Sequence, residues 1–402
     1  MRTFYSPLGF ARIVVAFAIS LFIRLVMSIF KVRIGRLPSH EIGHYATNVE
    51  VYLCEKEAQV NGQNKKSIDI WYRNPTSGVS NQQLDKMWAR TIRISDSPVV
   101  RYADAISRRL PGGARFSITH HDRDAFALFD KTPPHLSFTA DEILEGEKFL
   151  DSVRTQPDQK FICLAVRDSS YKRAQFEDRD IAKDDYRNND IRNYQEVAEQ
   201  LAKDGYLVFR MGAKVERPFV TDSPQVIDYA SNGMRSEFLD IYLGANCELF
   251  ISSVLGIDSI PEIFRRPRVL TNYIPIGNFG KYGPRDLVIP KQYWLNCESR
   301  FLRFSEIVAS TNGLGSCTSS YEYETAGIKL VENTPTEILQ ATRELLDRHQ
   351  GAFAHSEQDR QLISKFWSNY YRLEPAPIKS AVGGQEPNIG MQFLRDNLHW
   401  VN

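Results

Sequence analysis

Between Phe161 and Val166 the chain is apolar without a break. A strand written that way has no face to show to water, so it belongs in a sheet covered on both sides, as parallel sheets are. The residues that follow agree. Ile191, Tyr194, Val197, Ala198 and Leu201 recur at helical spacing, with Asp190 placed to cap that helix and Gly205 to end it. Tyr206 to Phe209 reads as the next strand, and Val226 with Ile227 as a short one. Ser236 is placed to cap a helix holding Phe238, Leu239, Tyr242 and Leu243, and Leu249 to Ile251 is again a strand. Ser259 and Glu262 have capping-box spacing with Pro261 in the first turn, and Val269-Leu270 follows as a strand. This alternation predicts a parallel, doubly wound α/β domain.

The first half alternates too, in shorter pieces. Strands are expected at Val32–Leu37, Ile68–Tyr72 and "TIRIS", and helices at His44–Glu57, Gln82–Ala89 and Val99–Leu110. "RFSIT" reads as one more strand. Thr139 and Glu142 form a capping-box pair ahead of a helix whose Ile143, Gly146, Leu150 and Val153 share a face. The connector "RTQPDQ" sets the expected division: an N-terminal α/β domain over 32–154, a C-terminal one over 155–345, and a helical extension over 346–402. A chain of 402 residues holds two such domains comfortably.

The polar residues of the second half gather where ligands bind in such sheets, beyond the carboxyl ends of the strands. Arg167-Asp168 follows the first strand, Arg210-Met211-Gly212 the second, and Ser252-Ser253 a later one, just before Gly256 and a capped helix. Arginine forks, a glycine that admits close backbone approach, two hydroxyls and a helix N-terminus suit a diphosphate. The long charged loop from Arg167 to Ile191 would lie over it, with Arg187 as a further cation. The bland alternative is ion pairing: Arg167 with Asp168 or Asp228, Arg210 with a loop acid, and a solvated loop.

The N-terminus is of another kind. From Ile13 to Phe30 only Ser20, Arg24 and Ser28 interrupt an apolar run, and Arg2, Arg12, Arg24, Lys31, Arg33 and Arg36 precede any downstream acid before Glu41. Arg24 breaks what would otherwise approach the length of a spanning helix. Residues 1–31 are therefore expected to lie on an anionic membrane surface as a basic apolar helix, the alternative being a core helix with outward arginines.

Several chemistries are disfavoured. There is no G-x-G-x-x-G after a strand, no G-x-x-x-x-G-K-[ST] and no G-x-S-x-G. A net charge of +1 offers no field for nucleic acid. Five scattered cysteines, none in a C-x-x-C pair, argue against a disulfide scaffold or zinc knuckle and for a reducing compartment. Asp122-Arg-Asp124 and Asp178-Arg-Asp180 could hold a divalent ion, but so short a pattern arises easily among 49 acids. His120-His121 lack a nearby third ligand in the sequence.

"LAVRDSSY" resembles the arginine motif of fucosyltransferases with the GT-B fold, and "SEFLDIYLGANCELFISSVLG" resembles their segment of acidic helix, strand and donor-site serines. Together with "YRNNDIRNYQEVAEQLAKDGYLVFRMG" the chain is similar to bacterial glycosyltransferases of surface-polysaccharide loci. The likeness spans roughly residues 32–345. It implies two Rossmann-like domains with a cleft between them, the C-terminal one for a nucleotide-sugar and the N-terminal one for a glycan or lipid-linked acceptor. It also implies an inverting, metal-independent enzyme at the cytoplasmic face of the inner membrane, without cofactor. Carried over by position, Arg167, Ser252 and Ser253 would belong to the donor site, and Asp240 in the acidic helix is expected there too. Ala165 stands where fucosyltransferases carry histidine, which weakens a fucosyl donor but not a nucleotide-sugar. His44, in a Gly-His loop after the first strand like that of several GT-B enzymes, is the expected base, with Glu41 orienting it or replacing it.

Two further readings stay open: a nucleotide-sugar-binding protein without catalysis, and a metal-dependent transferase using Asp122 and Asp124.

Overall fold

The computed structural model describes residues 7–26, 31–63, 65–175, 180, 182–310, 313–374, 376–379 and 386–402. Arg2, Phe30 and Asp178 lie outside them. The chain divides into two compact units, one made of residues up to 123 with 128–138, the other of 124–127 with 139–402.

The first unit comprises α1 (Pro7–Val26), β1 (Val32–Arg36), α2 (Ile42–Ala58), β2 (Ile68–Tyr72), α3 (Gln82–Thr91), β3 (Ile94–Ser95) and α4 (Pro98–Arg109). Its three strands are parallel, in the order β1-β2-β3. The strand expected at "RFSIT" is instead a 3₁₀ turn over 113–116 followed by a single bridge from Ser117 to Ile34. Gly35 explains how that segment comes so close: a Cβ there would stand 2.5 Å from the Cβ of Ile118.

α1 docks on α4 along one stripe. Ala16 and Ser20 are fully buried, and the Ser20 hydroxyl donates to Ala103 O at 3.1 Å. Arg24 does not reach outward. Its guanidinium donates to Pro111 O at 2.9 Å and Ser107 O at 3.4 Å and lies 4.6 Å from the Phe116 ring centre, so it completes the carbonyls at the end of α4. No helix among the described residues is long and apolar enough to cross a membrane.

The second unit opens with α5 (Ala140–Val153), capped as its sequence predicts: Thr139 Oγ1 accepts from Glu142 N at 3.3 Å, and the Glu142 carboxylate from Thr139 N at 2.8 Å. Gly146 is required there, because a Cβ would stand 2.1 Å from the Tyr242 ring. α5 thus clusters with the unit that follows, and the division falls at 138/139, ahead of the 154/155 connector. Then come β4 (Phe161–Ala165), α6 (Ser170–Gln175), α7 (Gln195–Lys203), β5 (Leu207–Arg210), β6 (Val226–Ile227), α8 (Glu237–Asn246), β7 (Leu249–Ser252), α9 (Ser259–Ile263), β8 (Arg268–Tyr273) and β9 (Asp286–Pro290). A small antiparallel sheet of β10 (Gln292–Leu295), β11 (Arg300–Phe301) and β12 (Ile328–Val331) follows, with α10 (Phe304–Val308) and α11 (Ser320–Thr325) interleaved. The unit ends with α12 (Pro335–His349), α13 (Glu357–Tyr370), β13 (Asn388–Ile389) and α14 (Met391–Asp396).

The main sheet is parallel throughout, in the order β13-β9-β8-β7-β4-β5-β6. From β4 the chain winds outward through β5 and β6, then returns to the other side of β4 as β7 and winds the opposite way. The reversal lies between β4 and β7, which pair from Ile162–Leu249 to Ala165–Ser252. β4 is buried at every residue, in keeping with its apolar sequence. The segment from 346 onward is no appendage: β13 adds to the sheet beside β9, and Phe366, Tyr370 and Trp400 are fully buried in the common core.

Two expectations change. The charged loop after β4 carries α6 and a 3₁₀ turn over 182–187. The capping box at Ser259 does not form. A 3₁₀ turn over 256–258 precedes α9, which is only five residues long, and Asp258 Oδ2 instead accepts from Leu255 N at 3.0 Å. Gly256 therefore opens a tight turn, with no long helix behind it to offer a dipole.

Candidate functional site

Parallel doubly wound sheets bind ligands where the winding reverses, at the carboxyl ends of the two diverging strands. Here those ends carry Arg167 and Ser253. The Ser253 hydroxyl accepts from Arg167 N at 2.7 Å, and Ser253 N donates to Ala165 O at 3.1 Å, so the two strand ends are stitched together. The Arg167 carbonyl accepts from Asn189 N at 3.0 Å, which folds the returning end of the charged loop over the same edge.

Arg167 is only 9% exposed, yet its Nε has no hydrogen-bonding partner, and among the described residues no carboxylate forms an ion pair with it. Burial and then the nearby Arg187 charge pull its pKa down to about 10, with Asp184, Tyr186 and Asp185 opposing more weakly. Arg187 donates to Val254 O at 3.1 Å, and Lys291, the first residue after β9, donates to Asn188 O at 2.7 Å. Lys291 is 3% exposed, and burial lowers its pKa to about 8, Glu332 opposing and Arg167 adding to the effect. Three cations thus meet around residues 187–189, Arg167 depressed by burial and by Arg187, and Lys291 by burial and by Arg167. Among the described residues no acid pairs with any of the three. Buried charge without a counter-ion is costly. The arrangement is what an anion of two or more charges would relieve, with guanidinium forks and an ammonium to receive its oxygens.

The other sequence-chosen residues of this unit support the edge or stand elsewhere. Asp168 accepts from Ser170 N and Glu216 N, both at 2.8 Å, so it starts α6 and ties down the loop after β5. Ser252 donates to Asp258 Oδ2 at 2.7 Å and accepts from Val254 N at 2.9 Å, shaping the turn at Val254, whose φ is +63°. Gly212 admits Val215, whose Cγ1 would stand 2.6 Å from an added Cβ. Asp240 is buried in α8, where it accepts from Arg235 at 2.6 Å and from the Tyr229 hydroxyl at 3.2 Å; burial raises its pKa. Arg210 follows the ion-pair alternative. It is 1% exposed, pairs with Asp228 Oδ1 at 2.9 Å and donates to Arg217 O at 3.0 Å. It is not offered to the cation cluster. Arg210→Ala strands Asp228 and is expected to cost on the order of 3 kcal/mol of stability in chemical denaturation. Diphosphate affinity of the folded protein should not change.

Lys291 is a cation of the site that the sequence analysis does not name. Its signal was present, since "DLVIPK" puts a cation directly after an apolar strand, as "FICLAVR" does.

The first unit holds His44 near the start of α2. A backbone carbonyl only accepts, so His120 Nε2, 3.1 Å from Arg36 O, must carry the proton. His120 Nδ1 then accepts from Asn48 Nδ2 at 3.0 Å, and Asn48 Oδ1 is left to accept from His44 Nδ1 at 3.4 Å. Burial lowers the His120 pKa, the hydrogen bond to Arg36 O opposing and the neighbouring His44, His121 and Arg108 adding to the effect. His44 Nε2, half exposed, stands 3.4 Å from Glu41 Oε2. A hydroxyl arriving beside this pair would meet an imidazole and a carboxylate, side chains of the two kinds that serve as general bases. Asp122 and Asp124 belong to no cluster of three ligand-bearing side chains among the described residues.

No protein-family model matches the chain, and comparison with curated proteins finds no match. Among solved structures, E. coli ADP-heptose LPS heptosyltransferase II is similar at 14% identity and a TM-score of 0.42, over 79% of this chain and 99% of that one. A glycosyl transferase family 9 protein from Veillonella parvula is similar at 10% identity and a TM-score of 0.44, over 80% and 99%. The iron-containing dodecameric glycosyltransferase TibC of enterotoxigenic E. coli is similar at 15% identity and a TM-score of 0.33, over 64% and 62%. Likeness at this level carries no argument for activity, which has to come from the residues.

Proposed function

We propose that the protein is a glycosyltransferase that moves a sugar from a nucleotide-sugar to a lipid-linked or polysaccharide acceptor in bacterial surface-glycan synthesis, without a catalytic metal. The observation that carries this reading is the uncompensated cluster of Arg167, Arg187 and Lys291 at the reversal of the parallel sheet. When a sugar leaves a nucleoside diphosphate, negative charge grows on the bridging and terminal phosphate oxygens. Fixed cations in a water-poor site stabilise that charge more than they stabilise the bound donor, and so lower the barrier. They can do for the diphosphate what a divalent ion does in metal-dependent transferases. His44 is the group that would take the acceptor hydroxyl's proton as the sugar carbon is attacked, giving inversion.

The test is binding first. Thermal-shift and calorimetric titration with a panel of nucleoside diphosphates and nucleotide-sugars should show stabilisation that survives excess EDTA. The same nucleosides as monophosphates should bind more weakly. Equal affinity for nucleoside and nucleoside diphosphate would sink the assignment.

The membrane belongs to the same proposal. α1 turns Val14, Val15, Phe17, Leu21, Phe22 and Leu25 outward, each between 46% and 77% exposed, on the side away from the Ala16–Ser20–Arg24 stripe. An apolar face with Arg12 exposed beside it fits an anionic bilayer surface. Leu21→Glu with Phe22→Glu should abolish co-sedimentation with vesicles rich in anionic lipid while leaving nucleotide binding intact. Arg24→Ala should weaken the α1–α4 contact rather than lipid attraction, because its charge is spent on carbonyls.

A further inference from the structure

One cluster of reactive side chains takes no part in the proposed chemistry. Glu50, Cys54 and Glu57 lie on one face of α2, and the segment 128–138 brings Thr132 and His135 against them. His135 Nδ1 lies 3.2 Å from Glu50 Oε1. Cys54 Sγ lies 3.8 Å from that same oxygen and 4.0 Å from His135 Nδ1. A carboxylate oxygen, a thiol sulfur and an imidazole nitrogen therefore mark out a small triangle. With Zn–N and Zn–O distances of about 2.0–2.1 Å and Zn–S of about 2.3 Å, a tetrahedral ion has ligand–ligand edges of about 3.3–3.6 Å. The observed edges are within about half an ångström of that without any adjustment of rotamers.

The surroundings have the form of a metal site's outer layer. His135 Nε2 faces Glu57 Oε2 at 3.5 Å, and a carboxylate behind the distal imidazole nitrogen fixes the tautomer that frees the other nitrogen to ligate. Thr132 Oγ1 stands 3.1 Å from Cys54 Sγ and 2.8 Å from Leu128 O, to which it donates here; with the thiolate formed, the same proton can turn to the sulfur. Glu50 and Cys54 are fully buried, while the His135 side chain is 20% exposed and Glu57 48% exposed, which leaves an entry on one side. A thiolate and a carboxylate bring two negative charges, and a divalent ion neutralises both. The mix of sulfur, nitrogen and oxygen favours zinc over magnesium or calcium.

We propose that Glu50, Cys54 and His135 bind a structural Zn²⁺ that pins the 128–138 segment to α2, a water molecule supplying the fourth ligand. The competing arrangement is a protonated His135 held between Glu50 and Glu57, with Cys54 a bystander; it binds no metal. The full chain, purified without a polyhistidine tag and dialysed after exposure to ZnCl₂, is analysed for metal by mass spectrometry. About one zinc per chain is expected. Cys54→Ala and His135→Ala should retain none, and Glu57→Gln should bind about 10–100-fold more weakly. Should those variants fold poorly, the parent chain decides alone: loaded with CoCl₂ it should show the ligand-field bands of tetrahedral cobalt and a thiolate-to-cobalt charge-transfer band. A parent chain that holds no stoichiometric zinc or shows no charge-transfer band overturns the proposal. So does a folded Cys54→Ala protein that keeps its ion.

Discussion

His44→Gln is expected to turn over about 10²–10⁴-fold more slowly than the parent while binding its donor with unchanged affinity. The size follows from the role: a positioned base removes the hydroxyl proton as the bond forms, and glutamine fills the same space with no basic nitrogen. The relay behind it sharpens the test. His120 and Asn48 decide which imidazole nitrogen carries the proton, so Asn48→Leu should lower turnover and move its pH profile with little change in donor affinity. A folded His44→Gln protein with parental turnover and pH profile would exclude His44, leaving Glu41 as the nearest acceptor.

The Arg167→Ala, Lys291→Ala double variant should lose nearly all diphosphate affinity. Each charge-assisted contact is worth about 1.5–3 kcal/mol, so the pair amounts to about 3–6 kcal/mol, roughly 10²–10⁴-fold. Lys291 also predicts two opposite slopes with pH. Its folded pKa of about 8 lies below that of a free lysine, so between about pH 8 and 10.5 the unfolded chain binds more protons. The stability of the free protein should therefore rise with pH across that window. Diphosphate affinity should fall across it, as the ammonium that receives the phosphate is lost. Lys291→Met should flatten both slopes. Affinity that stays level from pH 7 to 10 in the parent chain would remove Lys291 from the site.

The features legible in the sequence were the ones that neighbouring residues determine. The capping box at Thr139, the all-apolar β4, the glycine end of α7 and the cap at Ser236 are local, and the backbone adopts them. Arg167 at a strand end was legible for the same reason. What the sequence does not show is which partners fold back onto these residues. Arg210 looked as available as Arg167, and only the return of Asp228 beside it, 18 residues on, makes it an ion pair. Ser252 and Ser253 are expected beside a diphosphate; that the first donates to Asp258 and the second accepts from Arg167 N is set by the fold. Glu50 and Cys54 stood four residues apart in plain view, but His135 reaches Glu50 across 85 residues, and no periodicity carries that.

β13 has a further consequence for how the second unit is made. Ile389 pairs beside Val288, and Trp400 touches Tyr293, Phe304 and Phe366, so residues 388–401 close a core begun at Phe161. A ribosome delivering this chain releases the first unit's residues long before residues 388–401 emerge. Until they do, β9 is an unpaired edge of a parallel sheet, a surface that invites pairing with other chains. Completion of the second unit therefore waits on residues 388–401, and a chain clipped ahead of Asn388 would expose that edge instead of a shortened but sound domain.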